Sequence, residues 1–487
     1  MTYSMKTTYP MFRLLVVAGL LCASFAAHAT HYLAGNITYR RYLQTNQYEV
    51  QVILYTDAGP NAVDEPATEL HCLPNLEAGC AAALQNDISM QLLRQRFELI
   101  NPAQCGASNV KKNFYTGLVT LPPNRWTLLV DNVNRRAGII NINNSVNTSG
   151  TISATLDNST GLFNNSPEFV STEILSLNGN QYHRFTAKAA EVDGDSVAYE
   201  FVAPQQGFKA QGCPQPAGGF YQPPHFRLDA VTGVLETVPF TLVQGDYVIA
   251  IQANEFRRLN GRWTKIGSVQ RDMLYTVRAA SATNTNPRFS VLQRGSATLD
   301  FMQAIPVNPG QTVDLTLTAA DPDAGQQLAF SSFTPTIYSA LYPFASFPAV
   351  QKLSATQGRL TWQVPASLPL GLYQFGLTVT DDFCPQSGRE IRSIAFEVTN
   401  RVLTASTKAI GNVITAYPMP FHDQVQFQLP RSRSQQILIT DEVGRTVAQL
   451  TSRADGTVVW QPAGSVKPGT YLARTTEGSY SVRLVHY

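Results

Sequence analysis

Five carboxylates are the residues of this sequence whose types and spacing could do chemistry. Glu191, Asp193 and Asp195 alternate through EVDGD, while Glu168 in SPEF and Glu255 in ANEF place single acids at the ends of alternating segments. Grouped carboxylate oxygens suit a hard divalent cation, and calcium takes roughly six to eight oxygen ligands, several of them from carboxylates. Asp and Gly in this pattern also make tight turns, the Asp side chain bonding its own backbone two residues on. The acids therefore read either as weak calcium ligands or as turn formers, with Asp321, Asp323, Asp381 and Asp382 as later counterparts.

Nothing else in the chain points to a reaction. It contains no G-x-S-x-G, no H-E-x-x-H and no P-loop. Histidines at 28, 31, 71, 183, 225, 422 and 486 are scattered, and none is paired in sequence with a nucleophile. The expectation is a protein that is not an enzyme and has no cofactor apart from calcium at those acids. Lys and Arg number 36 against 34 Asp and Glu, and no basic run is long. That balance gives no electrostatic footprint for nucleic acid or an anionic membrane.

Cysteines and the N-terminus bear on compartment. Lys6 and Arg13 precede the uncharged run LLVVAGLLCASFAA (14–27), and Ala27-His28-Ala29 fits a signal-peptide cleavage site after Ala29. The run is shorter than the ~20 residues of a membrane span, and no later segment comes closer, so no transmembrane span is expected. In an oxidising compartment the remaining cysteines form disulfides. Cys72 and Cys80 bracket the short loop CLPNLEAGC and are the expected pair. Cys105, Cys213 and Cys384 are left with their connectivity open.

The elements that must position these residues are strands. The chain has 487 residues, 44% apolar and only 14% charged, against ~25% charged in an average soluble protein. Short alternating runs bounded by Gly, Pro, Asn and Asp recur along it, the pattern of β-sandwiches. Only Ala81–Phe97 is ambiguous, between one helix and a strand pair. A repeat dominates: LDAVTGVLETVPFTLVQGDYVIAIQANEF (228–256) lines up with LSATQGRLTWQVPASLPLGLYQFGLTVTDDF (353–383), Gly233 falling on Gly358 and Gly245 on Gly371. Upstream, AAEVDGDSVAYEF matches AADPDAGQQLAF.

The expected fold is all-β, with tandem Ig-like sandwiches. The divisions are a signal peptide (1–29), an N-terminal β-rich domain (30–165), Ig-like domains at 166–280 and 284–400, a linker (401–412) and a final module (413–487). That module opens with AYPMPFHDQVQFQL, in which Val425, Phe427 and Leu429 alternate with glutamines. Most aromatics fall on alternating strands and read as core. YPFASF (342–347) lies in a loop-like stretch and could form a binding patch.

Three resemblances add to this reading. The acidic segments resemble the ends of cadherin-like repeats, where calcium rigidifies domain junctions, although NTNPRF at 284–289 has no acidic residue. The C-terminal block resembles the sorting domain of the Bacteroidetes type IX (Por) secretion system. Tyr417, Pro418 and Pro420 match its opening Tyr-Pro-Asn-Pro, with Met419 in place of Asn. Asp441, Gly444 and Arg445 match its Asp-x-x-Gly-Arg, and Pro468, Gly469 and Tyr471 its Pro-Gly-x-Tyr. Residues 30–280 look like a group of Bacteroidetes surface proteins associated with gliding motility. They share HYLAGNITYR, YEVQVILYTD, LPPNRWTL, NSPEF, DGDSVAYEF, GDYVIAIQANEF and IGSVQRDM; the group's cysteine after the Tyr-x-Asp segment is replaced by Ala58. These resemblances imply Sec export, passage of the outer membrane by the type IX machinery, and a place on the cell surface or in the medium. The implied role is structural or adhesive, toward a surface polysaccharide or another cell-surface ligand. The rivals are a secreted enzyme with Ig-like spacers and a component serving gliding motility.

Overall fold

The computed structural model describes residues 32–486 except 44, 60–61, 101–109, 172–174, 180, 209–212, 239–240, 280–283, 385–386, 401–411, 414–415, 418–420, 430–433, 442–444 and 477–479. The chain divides into two compact units at 401/402. The architecture is all-β: several sheets packed as tandem sandwiches, with short helices only.

Local alternation makes the strands. In Gln47–Asp57, Tyr48, Val50 and Val52 are buried while Glu49 and Gln51 are partly exposed; from Ile53 to Thr56 both faces are covered. This strand pairs with Tyr32–Arg41 and Val110–Thr120, and the sheet continues through Ile88–Ile100, Ala67–Pro74, Arg125–Asn134 and Ser149–Asp157. The strand Arg262–Arg278 then closes it. Gly267–Val269 pair with Ala154–Leu156, and Arg271–Met273 pair with Ala34–Asn36.

That closure corrects the boundary expected at 165/166. Residues 30–165 do not make a domain of their own, because their sheet would be left with two open edges without the strand from the first repeat. One core runs through both, from Ile37, Leu54 and Leu128 to Ile249, Val269 and Tyr275. The first repeat extends this sheet with Ser196–Val202 and Gly245–Leu259, and adds a small sheet of Arg184–Thr186, Val234–Thr237 and Phe226–Leu228.

The second repeat is a sandwich of its own. One sheet holds Arg288–Arg294, Thr312–Ala320 and Gln357–Gln363, the other Ala329–Phe333, Gly371–Thr380 and Arg389–Val398. Trp362, Phe375, Phe396 and Tyr338 meet between them. A two-stranded ribbon, Glu168–Phe169 with Ala189–Ala190, joins the first body to it, and Val170 and Ala190 lie in the second core. The approach is close enough to require glycine: a Cβ on Gly376 would stand 2.2 Å from the Val170 carbonyl oxygen.

The segment Ala81–Phe97 is neither one helix nor a strand pair. It runs from the short helix Cys80–Gln85 into the strand Ile88–Ile100. The expected Cys72–Cys80 disulfide is also corrected: Cys80 bonds Cys213, with Cα atoms 6.1 Å apart, and Cys72 is a buried free thiol. Strand alternation explains this. Cys72 faces the main core, whereas Leu73 faces the opposite side, where Ala83 of the helix and Phe208 pack. Cys384 is disulfide-bonded as well, and Cys105 and the cleavage site at Ala29 lie outside the described residues.

The C-terminal unit is a smaller sandwich. Tyr480–His486, Gly469–Thr475, Gln436–Asp441 and Thr446–Thr451 form one sheet; Val425–Gln428 and Thr457–Trp460 belong to the other. Val425, Phe427 and Leu429 face a core with Trp460 and Tyr471, and the intervening glutamines are exposed.

Candidate cation site

The acidic turn Glu191–Asp195 leads into the strand Ser196–Val202, whose neighbour Gly245–Leu259 carries Glu255 opposite Val197. Glu191 folds the turn around itself. Its Oε1 accepts the Asp193 N–H at 2.6 Å and its Oε2 accepts the Asp195 N–H at 2.6 Å. Asp193 in turn accepts the backbone N–H of Asn165 at 2.6 Å and its side-chain amide at 2.8 Å. The turn-forming and ligand readings therefore describe the same residues. One oxygen from each of Glu191, Asp193 and Asp195 lies within 4.8 Å of the others.

Sequence reasoning missed Arg257. Its Nε and Nη2 donate to the two oxygens of Asp195 at 2.7 and 2.5 Å, its Nη1 to the Phe163 carbonyl, and its Nη2 to Asn164 Oδ1 at 3.0 Å. The signal was present: Glu255 and Arg257 are two apart on one strand and share a face. Asn164 links the two, its amide donating to Glu255 Oε2 at 2.6 Å.

Glu255 is fully buried, and its Oε1 has no hydrogen-bond partner. Burial, and then the Glu191, Asp195 and Asp193 charges, hold its carboxyl well above the usual carboxylate range. Burial also pushes Glu191 up to about 7, against the pull of the two backbone donors. Asp193 is raised by burial as well.

Glu168 is not in this pocket, which corrects its place among the calcium candidates. Its carboxylate accepts from the backbone N–H of Thr336 at 2.8 Å, the Thr336 hydroxyl at 3.0 Å and the Ile337 N–H at 2.7 Å. It thus satisfies the free donors at the start of the helix Thr336–Leu341 in the second sandwich. Its oxygens point into that junction.

The other sequence-level candidates have structural uses. His183 bonds the Asn178 carbonyl and the Asn286 amide, and burial lowers it to about 4. His225 bonds the Tyr275 hydroxyl and packs edge-on against Tyr247. His71 is held by Asp87 at 2.6 Å, and burial drives the adjacent Cys72 thiol upward, away from nucleophilic character. In YPFASF, Phe347 and Tyr342 pack on the second core while Phe344 is 100% exposed. In the C-terminal unit the Arg445 backbone N–H and Nε both donate to Asp441, closing the hairpin, and the Tyr471 hydroxyl donates to the Lys467 carbonyl just before Pro468-Gly469. Pro418, Pro420 and Gly444 lie outside the described residues, as does the side chain of Tyr417.

No protein-family model and no curated protein matches the chain. Among solved structures, a chimeric titin Z1Z2 tandem matches 48% of this chain and 99% of its own at 12% identity and a TM-score of 0.18. The SGBP-B of a Bacteroides ovatus mixed-linkage glucan utilization locus, in complex with mixed-linkage heptasaccharide, matches over 66% and 68%, at 12% and 0.15. The protocadherin GammaB4 extracellular domain matches over 89% and 62%, at 13% and 0.18. At these identities and TM-scores the matches carry no statement about what this chain does. No helix among the described residues is long and apolar enough to cross a membrane.

Proposed function

We propose that this is an exported surface protein with a structural or adhesive, non-enzymatic role, carried across the outer membrane by residues 413–487 acting as a type IX sorting module. The observation that carries the reading is the self-contained C-terminal sandwich. It has its own core and its own compact unit, and the motif residues Asp441, Arg445 and Tyr471 build its turns. A module that must be recognised apart from its cargo is best served by such independence. The non-enzymatic part is supported by the histidines, since His183 and His225 are spent in buried structural bonds. The cargo offers a surface polysaccharide or another cell-surface ligand its sandwich faces and the exposed Phe344 loop. The rivals, a secreted enzyme with Ig-like spacers and a gliding-motility component, have no comparable feature in their favour.

The test is to follow in its own cells a chain tagged just after Ala29, with and without residues beyond Asn400. Truncation is expected to trap the protein in the periplasm. If the truncated chain still reaches the surface, the sorting role is lost.

A further inference from the structure

We propose that the open edge of the strand Ile88–Ile100 pairs, antiparallel, with the same edge of a second copy of this chain, Phe97 lying at the twofold axis. The strand changes neighbours along its length. From Ile88 to Leu93 it pairs with Cys72–Ala67, and from Leu93 to Ile100 with Thr116–Val110. The first partner is not continued past Ala67. The chain before it crosses the face of the sheet instead: the Tyr115 hydroxyl donates to the Glu65 carbonyl at 2.7 Å, and Asp64 pairs with Arg94 and Lys111. Among the described residues no strand therefore lies along the outer side of Gln95–Ile100. Gln95 through Leu99 are exposed on both faces, Phe97 to 51% and Leu99 to 57%. Such an edge offers backbone N–H and C=O groups to another strand.

The order of charges along the edge chooses the occupant. Arg96 and Glu98 share one face and are ion-paired. Phe97 between them faces the other way, with the Lys111 and Arg94 cations 4.3 and 5.3 Å from its ring. Two copies that meet edge to edge about an axis normal to the sheet must centre on one residue. An axis at Arg96 sets Arg96 against itself, and one at Glu98 sets Glu98 against itself; like charges directly opposite destabilise pairing. An axis at Gln95 falls on the bulge of the strand, and one at Leu99 leaves Glu98 against Ile100. An axis at Phe97 sets each Arg96 opposite the second copy's Glu98. Four charges then alternate around the axis on one face, and two Phe97 rings adjoin on the other, both favourable cross-strand pairings.

The same charges that guard the edge against unrelated strands thus fit it to its own copy. A foreign strand would have to bring the complementary order, which this chain already carries. The pairing is isologous and closes on itself, because the inner edge of each strand is taken by Val110–Thr116 and no edge is left for a third copy.

The experiment follows the chain isolated from its own cells by sedimentation equilibrium over a concentration series. One strand pair is a small interface beside the ~1,200–2,000 Å² of a standard one, and a reversible dimer with Kd on the order of 10–100 µM is expected. Arg96→Glu and Glu98→Arg should each weaken it about tenfold or more, by setting like charges opposite. An equimolar mixture of the two variants should pair as the parent does, since each copy brings the charges the other lacks. The double exchange, Arg96→Glu with Glu98→Arg, should recover the parent's Kd. Both side chains are about half exposed, 52% and 47%, so the fold tolerates these exchanges. A parent chain that stays monomeric up to about 500 µM overturns the proposal, and that arm needs no variant. A dimer that both single variants leave at the parent's strength also overturns it. Variants that lose the dimer and do not regain it on mixing overturn the Phe97 register.

Discussion

The pocket of the first repeat and its counterpart in the second are built on one hydrogen-bonding plan. Asp193 N–H donates to Glu191 as Asp323 N–H does to Asp321; Asn165 N–H donates to Asp193 as Thr285 N–H does to Asp323. Asn164 donates to Glu255 as Asn284 does to Asp381. What differs is an ion pair. Asp195 and Arg257 are present together in the first pocket. In the second, Gly325 stands at the position of Asp195, and the neutral Gln326 amide takes the place of the guanidinium on the Asn284 oxygen. Acid and base are present together in the first pocket and absent together from the second, and Glu191, Asp193 and Glu255 correspond to Asp321, Asp323 and Asp381. Each pocket also retains one buried carboxylate oxygen without a partner, Glu255 Oε1 and Asp321 Oδ2. The comparison separates two jobs that the acidic motif alone confounds: the shared triad shapes the turn and gathers negative charge, and the Asp195–Arg257 pair anchors the Phe163–Asn164 segment to it.

The sharpest way to break that comparison is Arg257→Met. Asp195 is only 4% exposed, so removing its partner strands a buried charge, and unfolding in urea should show a loss of roughly 3–5 kcal/mol. Adding Asp195→Asn with Arg257→Gln, which imitates the neutral second pocket, should recover most of it. If the single variant is as stable as the parent, the pair is not an anchor.

A smaller effect comes from pH. Glu191 rises from an ordinary 4.5 to about 7, and Asp381, held up by burial, from 3.8 to about 6. Folding raises both, so the folded chain holds protons that the unfolded chain has released. The stability each contributes is complete below its unfolded value and lost as pH rises through its folded one, roughly 3 kcal/mol per group at about 1.4 kcal/mol per unit. In EDTA, Glu191→Gln should flatten the decline between pH 4.5 and 7, and Asp381→Asn that between 3.8 and 6. An unchanged slope in both variants would dissolve the parallel.

The least change is expected from Gln326→Ala, about 1 kcal/mol for one neutral hydrogen bond at a half-exposed site. A loss as large as that of Arg257→Met would mean that the second pocket is anchored by its own amide after all.

Much of this was legible in the sequence. Alternation placed Val425, Phe427 and Leu429 inward, and the repeat aligned Glu255 with Asp381 before any hydrogen bond was seen. The carboxylates of EVDGD do converge. Arg257 was visible on the same strand face as Glu255, and Asn164 in NNSPEF sits where Asn284 sits in NTNPRF; both went unread because only the acids were followed. Glu168 looked like a fifth ligand because sequence proximity to a proline and an aromatic says nothing about what stands across the junction. Cys72 and Cys80 were paired by loop length, whereas strand alternation sends Cys72 to the opposite face of the sheet from the helix that begins at Cys80.

The sequence by itself determined the strands, their inward faces, the two-copy acidic plan and the hairpin of the C-terminal module, because each depends on residues within a turn or a strand of one another. Tertiary structure alone decided that Arg262–Arg278 closes the N-terminal sheet, that Cys80 meets Cys213, and that Glu168 serves a helix of the second sandwich. Those outcomes rest on partners far apart in the chain. Backbone hydrogen bonding along a strand edge is nearly indifferent to side-chain identity, so the choice of partner is made only when the sheets close over a common core.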